Sequence, residues 1–253
     1  LSCSHHINSN THIRSSVSSV RHMSTTTTTP IFYVNASPHI GHLYTALVSD
    51  ATKRWNAMKS TSTHKNHFLV TGTDEHGSKV EKAALKNGFD DTKSFCDDVS
   101  MSFRDVFDKF DVKYDKFVRT TQPDHVSTVQ DAWSRMRENG YIYEGEHSGW
   151  YCESEESFLT EKELTILEDD SRVSKTTGNP ASFVTEKNYM FRLSSFQNDI
   201  LKWLEENPDV IVPSSRYNEI KQFVSSGLRD ISISRPRDRV PWAVRQFQIL
   251  EYT

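Results

Sequence analysis

Ile31-Phe-Tyr-Val-Asn-Ala-Ser-Pro-His-Ile-Gly-His42 decides the reading of this chain. Ile31 to Val34 is a short apolar run rich in β-branched and aromatic residues, the pattern of a buried strand, and Asn35 to Pro38 is turn chemistry. From Leu43 the apolar positions Leu43, Ala46, Leu47, Ala51, Trp55 and Met58 recur at steps of three and four, which predicts a helix with one face packed inward. His39 and His42 therefore fall where a strand hands over to a helix N-terminus, a place whose free N–H groups and dipole favour a phosphate. Gly41 between them has no Cβ, so a phosphate or a flat base could approach the backbone closely.

Outward from this stretch, His67 to Thr71 predict a second strand and Gly72-Thr-Asp-Glu-His-Gly77 a polar turn. Ser78 is placed to cap a helix running to Lys86 and closed by Gly88, and a further helix extends to about Lys109. This alternation predicts βαβ units, and the right-handed crossover rule brings the His39/His42 and Asp74/His76 turns to one edge of a parallel sheet. Ligands of open α/β sheets sit at such an edge. Near Thr120 the character changes. A helix is expected over 123–139, an aromatic β-like segment over 141–152, a short helix over 160–167, a loop over 169–181 and a strand over 189–193. Helices at 194–207 and 217–228 follow, and Ile231 to Ser234 is expected to resume the main sheet.

His39-Ile40-Gly41-His42 resembles the HIGH signature of class I aminoacyl-tRNA synthetases. The match is strengthened by Phe68-Leu-Val-Thr-Gly-Thr-Asp-Glu-His-Gly77, by Gly149-Trp-Tyr-Cys152 running into Phe158-Leu-Thr-Glu-Lys-Glu-Leu164, and by Ile231-Ser-Ile-Ser-Arg-Pro236 with Val240-Pro-Trp242. In that order, from about Thr29 to Trp242, these stretches resemble the methionyl-tRNA synthetase family of the bacterial and organellar type. The resemblance implies an α/β, Rossmann-like parallel nucleotide-binding fold, incomplete here, with an inserted connective-peptide α+β module. It divides the chain into a disordered leader at 1–29, the first half of the catalytic domain at 30–119, the insertion at 120–190, returning catalytic elements at 191–242 and an unmatched tail at 243–253.

The implied function is methionine–tRNA ligase activity: ATP-dependent activation of methionine to methionyl adenylate, then transfer to tRNA(Met). His39 and His42 are the expected catalytic pair, with Ile40 and Gly41 completing the ATP-binding turn. The resemblance matches Tyr33 to a methionine-pocket residue, Asp74 to the carboxylate that holds the substrate ammonium, and Arg235 to an arginine close to that aspartate. Ile31 is a neighbour at the same strand end. Taken without the family, Asp74 to Gly77 is a solvated turn, Arg235 a surface ion-pairing residue and an isolated histidine a hydrogen-bonded surface or core residue. ATP with Mg2+ is the expected substrate. Cys152 stands alone where relatives carry Cys-x-x-Cys pairs, so no structural zinc is expected, and the insertion should rest on aromatics such as Trp133, Tyr141, Tyr143 and Trp150.

The chain has 253 residues, 35% hydrophobic and 25% charged, with a formal net charge of −4. That charge excludes a uniformly basic nucleic-acid coat, so RNA contact would come from a local patch. No apolar stretch reaches transmembrane length, so no membrane partner is expected. Cys3, Cys96 and Cys152, odd in number and far apart, favour a reducing compartment. The leader holds Arg14, Arg21 and many Ser and Thr, and no acidic residue precedes Asp50, the composition of an organellar transit peptide. The mitochondrial matrix or a plastid is the expected location and the cytoplasm the alternative, with a monomer as the expected state. A disordered tail, or translated sequence upstream of Met23, is the other reading of the leader. The family's KMSKS loop and anticodon-binding domain are not found after Val240-Pro-Trp242, which suggests a splice variant, a frame change or an incomplete gene model. The alternatives to a methionine–tRNA ligase are a catalytically inactive fragment that binds ATP, tRNA or a partner, and another class I synthetase, for leucine, valine or isoleucine.

Overall fold

The structure is a computed structural model, which describes residues 25–59, 66–237 and 240–245. Residues 1–24 of the expected leader and 246–253 of the expected tail lie outside the described residues. Thr25–Thr28, which the sequence reading assigned to the leader, is instead strand β1 and pairs in parallel with residues 67–70. Four threonines carry no apolar periodicity, but β-branched residues suit a strand once a neighbour supplies the ladder. Strand β2, Phe32–Tyr33, continues on the same side after an interruption at Pro30, which has no N–H to donate.

Helix α1 (Ile40–Lys59) leads to strand β3 (His67–Asp74), and helices α2 (Ser78–Lys86) and α3 (Thr92–Lys109) lead to β4 (Lys116–Arg119). All pairings here are parallel. Phe32 and Tyr33 sit opposite Thr73 and Asp74, and Val70 to Thr73 sit opposite Lys116 to Arg119, so β3 is the central strand. The predicted polar turn is thus half strand: Gly72, Thr73 and Asp74 belong to β3, and the turn begins at Glu75. Strand β4 carries no signal beyond Phe117 and Val118, and the sequence reading passed over it.

Phe32, Val34, Leu43, Ala46, Leu69, Val80, Phe95, Phe103, Phe107 and Phe117 form the core between this sheet and its helices. The inward face expected of α1 is narrower than its spacing suggested. Leu43 and Ala46 are buried, whereas Leu47, Trp55 and Met58 are exposed, and in the second half of α1 it is Lys53 and Arg54 that reach the chain after α3, at Asp115 and Asp111. Helix α3 is capped as its sequence allows, Asp91 accepting from the backbone N–H groups of Lys93 and Ser94. Ser78 does not cap α2. Gly77 holds that position, and the Ser78 hydroxyl donates outward to Glu156 at 2.6 Å.

After helix α4 (Pro123–Glu138) the chain builds a second, antiparallel sheet. Its backbone is a long ribbon of β5 (Ile142–Cys152) and β9 (Pro180–Phe191), with β6 (Ser157–Leu159), β7 (Leu164–Ile166) and β8 (Arg172–Ser174) completing it. The expected helix over 160–167 is only a 3-10 turn at Glu161–Glu163, closed by a reciprocal Thr160/Glu163 cap, and it gives way at once to β7. The expected loop at 169–181 contains β8. Aromatic contacts carry this module: Trp133 against Tyr189, Trp150 against Phe183, Tyr151 against Phe158, with Arg192 over Tyr143. Helices α5 (Gln197–Glu206) and α6 (Ser214–Ser225) follow.

Strand β10, Ile231–Ser232, does not resume the parallel sheet. It pairs antiparallel with Phe191 and Met190 of β9. Asp230 directs it there, accepting from the Tyr143 hydroxyl at 2.7 Å and from the Ser194 N–H and hydroxyl. The return to the first core is made later, by Trp242. Among the described residues no helix is long and apolar enough to cross a membrane.

Candidate active site

The first turn of α1 is closed by its own two histidines. His39 is the cap residue: its carbonyl accepts from the N–H groups of His42 and Leu43, and its Nδ1 accepts from the N–H of Gly41 at 3.1 Å. His42 answers from the third helical position, its Nδ1 accepting from the N–H of His39 at 3.2 Å. This is a capping box in which imidazole nitrogens replace the usual hydroxyl and carboxylate. A ring whose Nδ1 accepts must carry its proton on Nε2 when neutral, so both rings present an Nε2–H donor at a helix N-terminus.

The rings stack 3.8 Å apart, centroid to centroid, and His42 rests on Phe32 and Phe103 at 5.2 and 5.1 Å. Burial and the neighbouring His39 hold the His42 pKa below the ordinary value of 6.5, so it is a neutral donor at neutral pH. Gly41 has its own use: a Cβ there would lie 3.0 Å from the His39 ring, so the missing side chain makes room for the cap. Ile40, 78% exposed, opens the helix and contributes backbone rather than packing.

Tyr33 and Asp74 are register partners at the ends of β2 and β3, and Val34 donates its N–H to the Asp74 carbonyl at 3.2 Å. The β2 end feeds the chain toward His39, so the histidine turn and the Asp74 turn issue from adjacent parallel strands. Burial pushes the Asp74 carboxyl pKa up; the His76 ring and backbone oppose this, and the Glu156 and Glu75 charges add to it. Ile31, just ahead of β2, is partly exposed.

Sequence reasoning missed what supports this turn. Glu75, with no solvent exposure, accepts from Arg119 at 2.7 and 3.0 Å, from the Thr73 hydroxyl at 2.6 Å and from the Thr121 hydroxyl. Arg119 also reaches Asp97 at 2.5 Å. The Trp242 indole N–H donates to the Glu75 carbonyl, and the Trp242 carbonyl accepts from Gly77 at 3.0 Å. The turn treated as solvated is therefore pinned on both sides. An acidic residue at a turn gives no local sign of such burial.

Arg235 is not joined to Asp74. Its guanidinium donates to the Ser232 hydroxyl at 3.0 Å and the Ser234 carbonyl at 2.8 Å, and lies over the Phe158 ring. Cys152 is buried, with the Ser154 hydroxyl 3.2 Å away, and among the described residues it is a free thiol. Among the described residues no group of three or more His, Cys, Asp or Glu is arranged to hold a metal ion.

Comparisons with known proteins show the family of this chain. The family model for tRNA synthetases class I (M) matches residues 25–168 and 166–247. The probable mitochondrial methionine–tRNA ligase of Dictyostelium discoideum is 46% identical over 227 residues, 86% of this chain and 38% of that protein. The methionine–tRNA ligase of Rickettsia felis is 44% identical over 208 residues, 82% of this chain and 39% of that protein. Methionyl-tRNA synthetase of Mycobacterium tuberculosis, in a structure with methionyl-adenylate, superposes with a TM-score of 0.77 at 36% identity, covering 88% of this chain and 43% of that one. The chain thus spans about two fifths of the length of the relatives it matches.

Proposed function

The chain belongs to the methionyl branch of the class I tRNA synthetases, and from that premise we propose that it carries the methionine-activating chemistry of a methionine–tRNA ligase, with ATP, methionine and tRNA(Met) as its substrates. The observation that carries this reading is the reciprocal histidine cap of α1, which leaves two oriented Nε2–H donors beside the strand ends bearing Tyr33 and Asp74.

In the activation step the methionine carboxylate attacks the α-phosphorus of ATP and the bond to pyrophosphate breaks. Negative charge gathers on the five-coordinate phosphorus and the leaving group, and donors already fixed there lower the barrier without reorganising. His39 and His42 act as such donors. Neither serves as a base, because the attacking carboxylate is already ionised. Asp74 holds the substrate ammonium by a charge-assisted hydrogen bond, with Tyr33 and Ile31 lining the amino-acid side. In the second step the terminal hydroxyl of tRNA attacks the adenylate carbonyl and AMP departs. Mg2+ arrives with ATP. The proposed setting is the mitochondrial matrix, supported by the mitochondrial naming of relatives such as the Dictyostelium protein and by the acid-free leader composition.

Methionine-dependent exchange of labelled pyrophosphate into ATP on the purified full chain tests the reading. Exchange rejects the alternative of an inert fragment. Equilibrium binding of ATP to the wild type and to the His39→Ala/His42→Ala variant tests the site: affinity falls at least about tenfold if both donors meet phosphate. Equal affinities would place the nucleotide elsewhere.

A further inference from the structure

We propose that Glu156, carried by the inserted module, is a positioning residue for the amino-acid pocket: it clamps the Tyr33 hydroxyl to the N-terminus of α2 and so ties the second sheet to the first. The inference rests on the assignment of Tyr33 and Asp74 to that pocket.

One carboxylate makes three contacts on the catalytic side. Oε1 accepts from the Ser78 hydroxyl at 2.6 Å and from the Lys79 N–H at 3.0 Å, and Oε2 accepts from the Tyr33 hydroxyl at 3.2 Å. Helix α2 has no side-chain cap of its own, since Gly77 occupies the cap position. Glu156 therefore supplies from 77 residues away what the sequence around Ser78 lacks. Its other consequence concerns the tyrosine. A phenol has one proton, and here that proton is committed to Glu156, so Tyr33 Oη faces any further partner as an acceptor.

Two backbone features fit a role that constrains geometry. Glu156 stands in the tight turn between β5 and β6 with φ +54°, a left-handed conformation uncommon for a glutamate and sustained only where surrounding contacts fix it. Gly77 has φ +107°, and a Cβ there would lie 2.7 Å from Tyr33 Oη and 3.2 Å from Glu156 Oε2. The three groups fill one space. A second contact from the same turn, Glu153 to Lys82 at 2.6 Å, runs along α2 but is exposed on both sides and adds little. Burial alone would raise the Glu156 carboxyl pKa; the Ser78, Lys79 and Tyr33 hydrogen bonds bring it below the ordinary range, so the clamp is ionised at neutral pH.

The test is calorimetric titration of methionine and, separately, of ATP into the full chain and its Glu156→Ala, Glu156→Gln, Tyr33→Phe and Glu156→Ala/Tyr33→Phe variants. Glu156→Ala is expected to weaken methionine about tenfold, Glu156→Gln by less, with ATP affinity unchanged, because the loss acts through Tyr33 and not through the fold. The double variant is expected to be no weaker than Glu156→Ala alone, the mark of two residues working as one unit. Methionine affinity kept within about twofold, or methionine and ATP lost in parallel, overturns the proposal. Amide exchange at Lys79 supplies a readout that needs no ligand: Glu156→Gln should speed it about tenfold relative to its neighbours in α2. Should the wild type take up no methionine, the pocket assignment is what has failed. Exchange at Lys79 then judges the clamp by itself, and an unchanged rate overturns it.

Discussion

Arg119 closes a two-pronged ion pair on Glu75, Nε to Oε1 at 2.7 Å and Nη2 to Oε2 at 3.0 Å, beneath a turn whose next-door residues are Asp74 and His76. A carboxylate with no solvent exposure needs that guanidinium, since a buried charge left alone costs far more than the pair contributes. Arg119→Ala is expected to lower unfolding free energy by about 3–5 kcal/mol in a urea titration. Arg119→Lys keeps the charge but not the fork, and should fall between the two. A loss under about 1 kcal/mol for Arg119→Ala would mean that the Thr73 and Thr121 hydroxyls hold Glu75 without the guanidinium.

The histidine cap separates two jobs of one ring. Asn can offer an acceptor where Nδ1 sits, while Gln can offer a donor where Nε2–H sits. His39→Asn should hold thermal stability close to wild type yet weaken ATP about tenfold, and His39→Ala should lose about 1 kcal/mol in addition. Thermal melts beside ATP titrations check this, and equal effects of the two variants on stability would deny the capping role.

Asp74 should stabilise the fold when removed. Its folded-state carboxyl pKa lies above the ordinary 3.8, so the folded state holds the proton more tightly than the unfolded one, and the stability this gives is lost as pH rises through the folded value. At neutral pH the ionised Asp74 is therefore a net cost. Asp74→Asn is expected to raise the melting temperature at pH 7.5 while weakening methionine at least about tenfold. A lowered melting temperature would show that its contacts outweigh its desolvation.

Three histidines make the fold sensitive to mild acid. His42, His76 and His147 all sit below the ordinary 6.5, with burial as the first cause in each case and the charge of His39 or Arg235 adding to it for His42 and His147. Their unfolded forms take up protons first, so stability is complete above about pH 6.5 and declines as pH falls through the lower folded values. The melting temperature should fall between pH 7.5 and pH 5.5, above the range where most carboxylates titrate. Replacing His76 and His147 by Gln should flatten that slope, and an unchanged slope would assign the sensitivity elsewhere.

Elements with a strong local pattern were legible in advance: helices α1 to α4, the strand preceding His39, and the aromatic β5 all lie close to where spacing and capping residues put them. Those missed had no such pattern. Strands β1 and β4 are four residues each and take their conformation from β3. Strands β7 and β8 displaced an expected helix and loop because a hairpin partner, absent from any local window, supplied their hydrogen bonds. Ile231 was sent to the wrong sheet because Asp230, reading locally as a loop residue, is anchored by Tyr143 and Ser194 on the antiparallel side.

The sequence by itself determined the parallel α/β core, the helix N-terminus carrying His39 and His42, and the class of chemistry those residues suit, because each depends on residues within a few positions of one another. Only the tertiary structure decided that the histidines cap each other and expose Nε2, that Glu75 is a buried anchor, that Arg235 hydrogen-bonds Ser232 and Ser234, and that Glu156 reaches back to Tyr33. Those facts depend on hydrogen-bond directions and on pairs up to 167 residues apart, Glu75 and Trp242 being the most distant, which no spacing rule specifies.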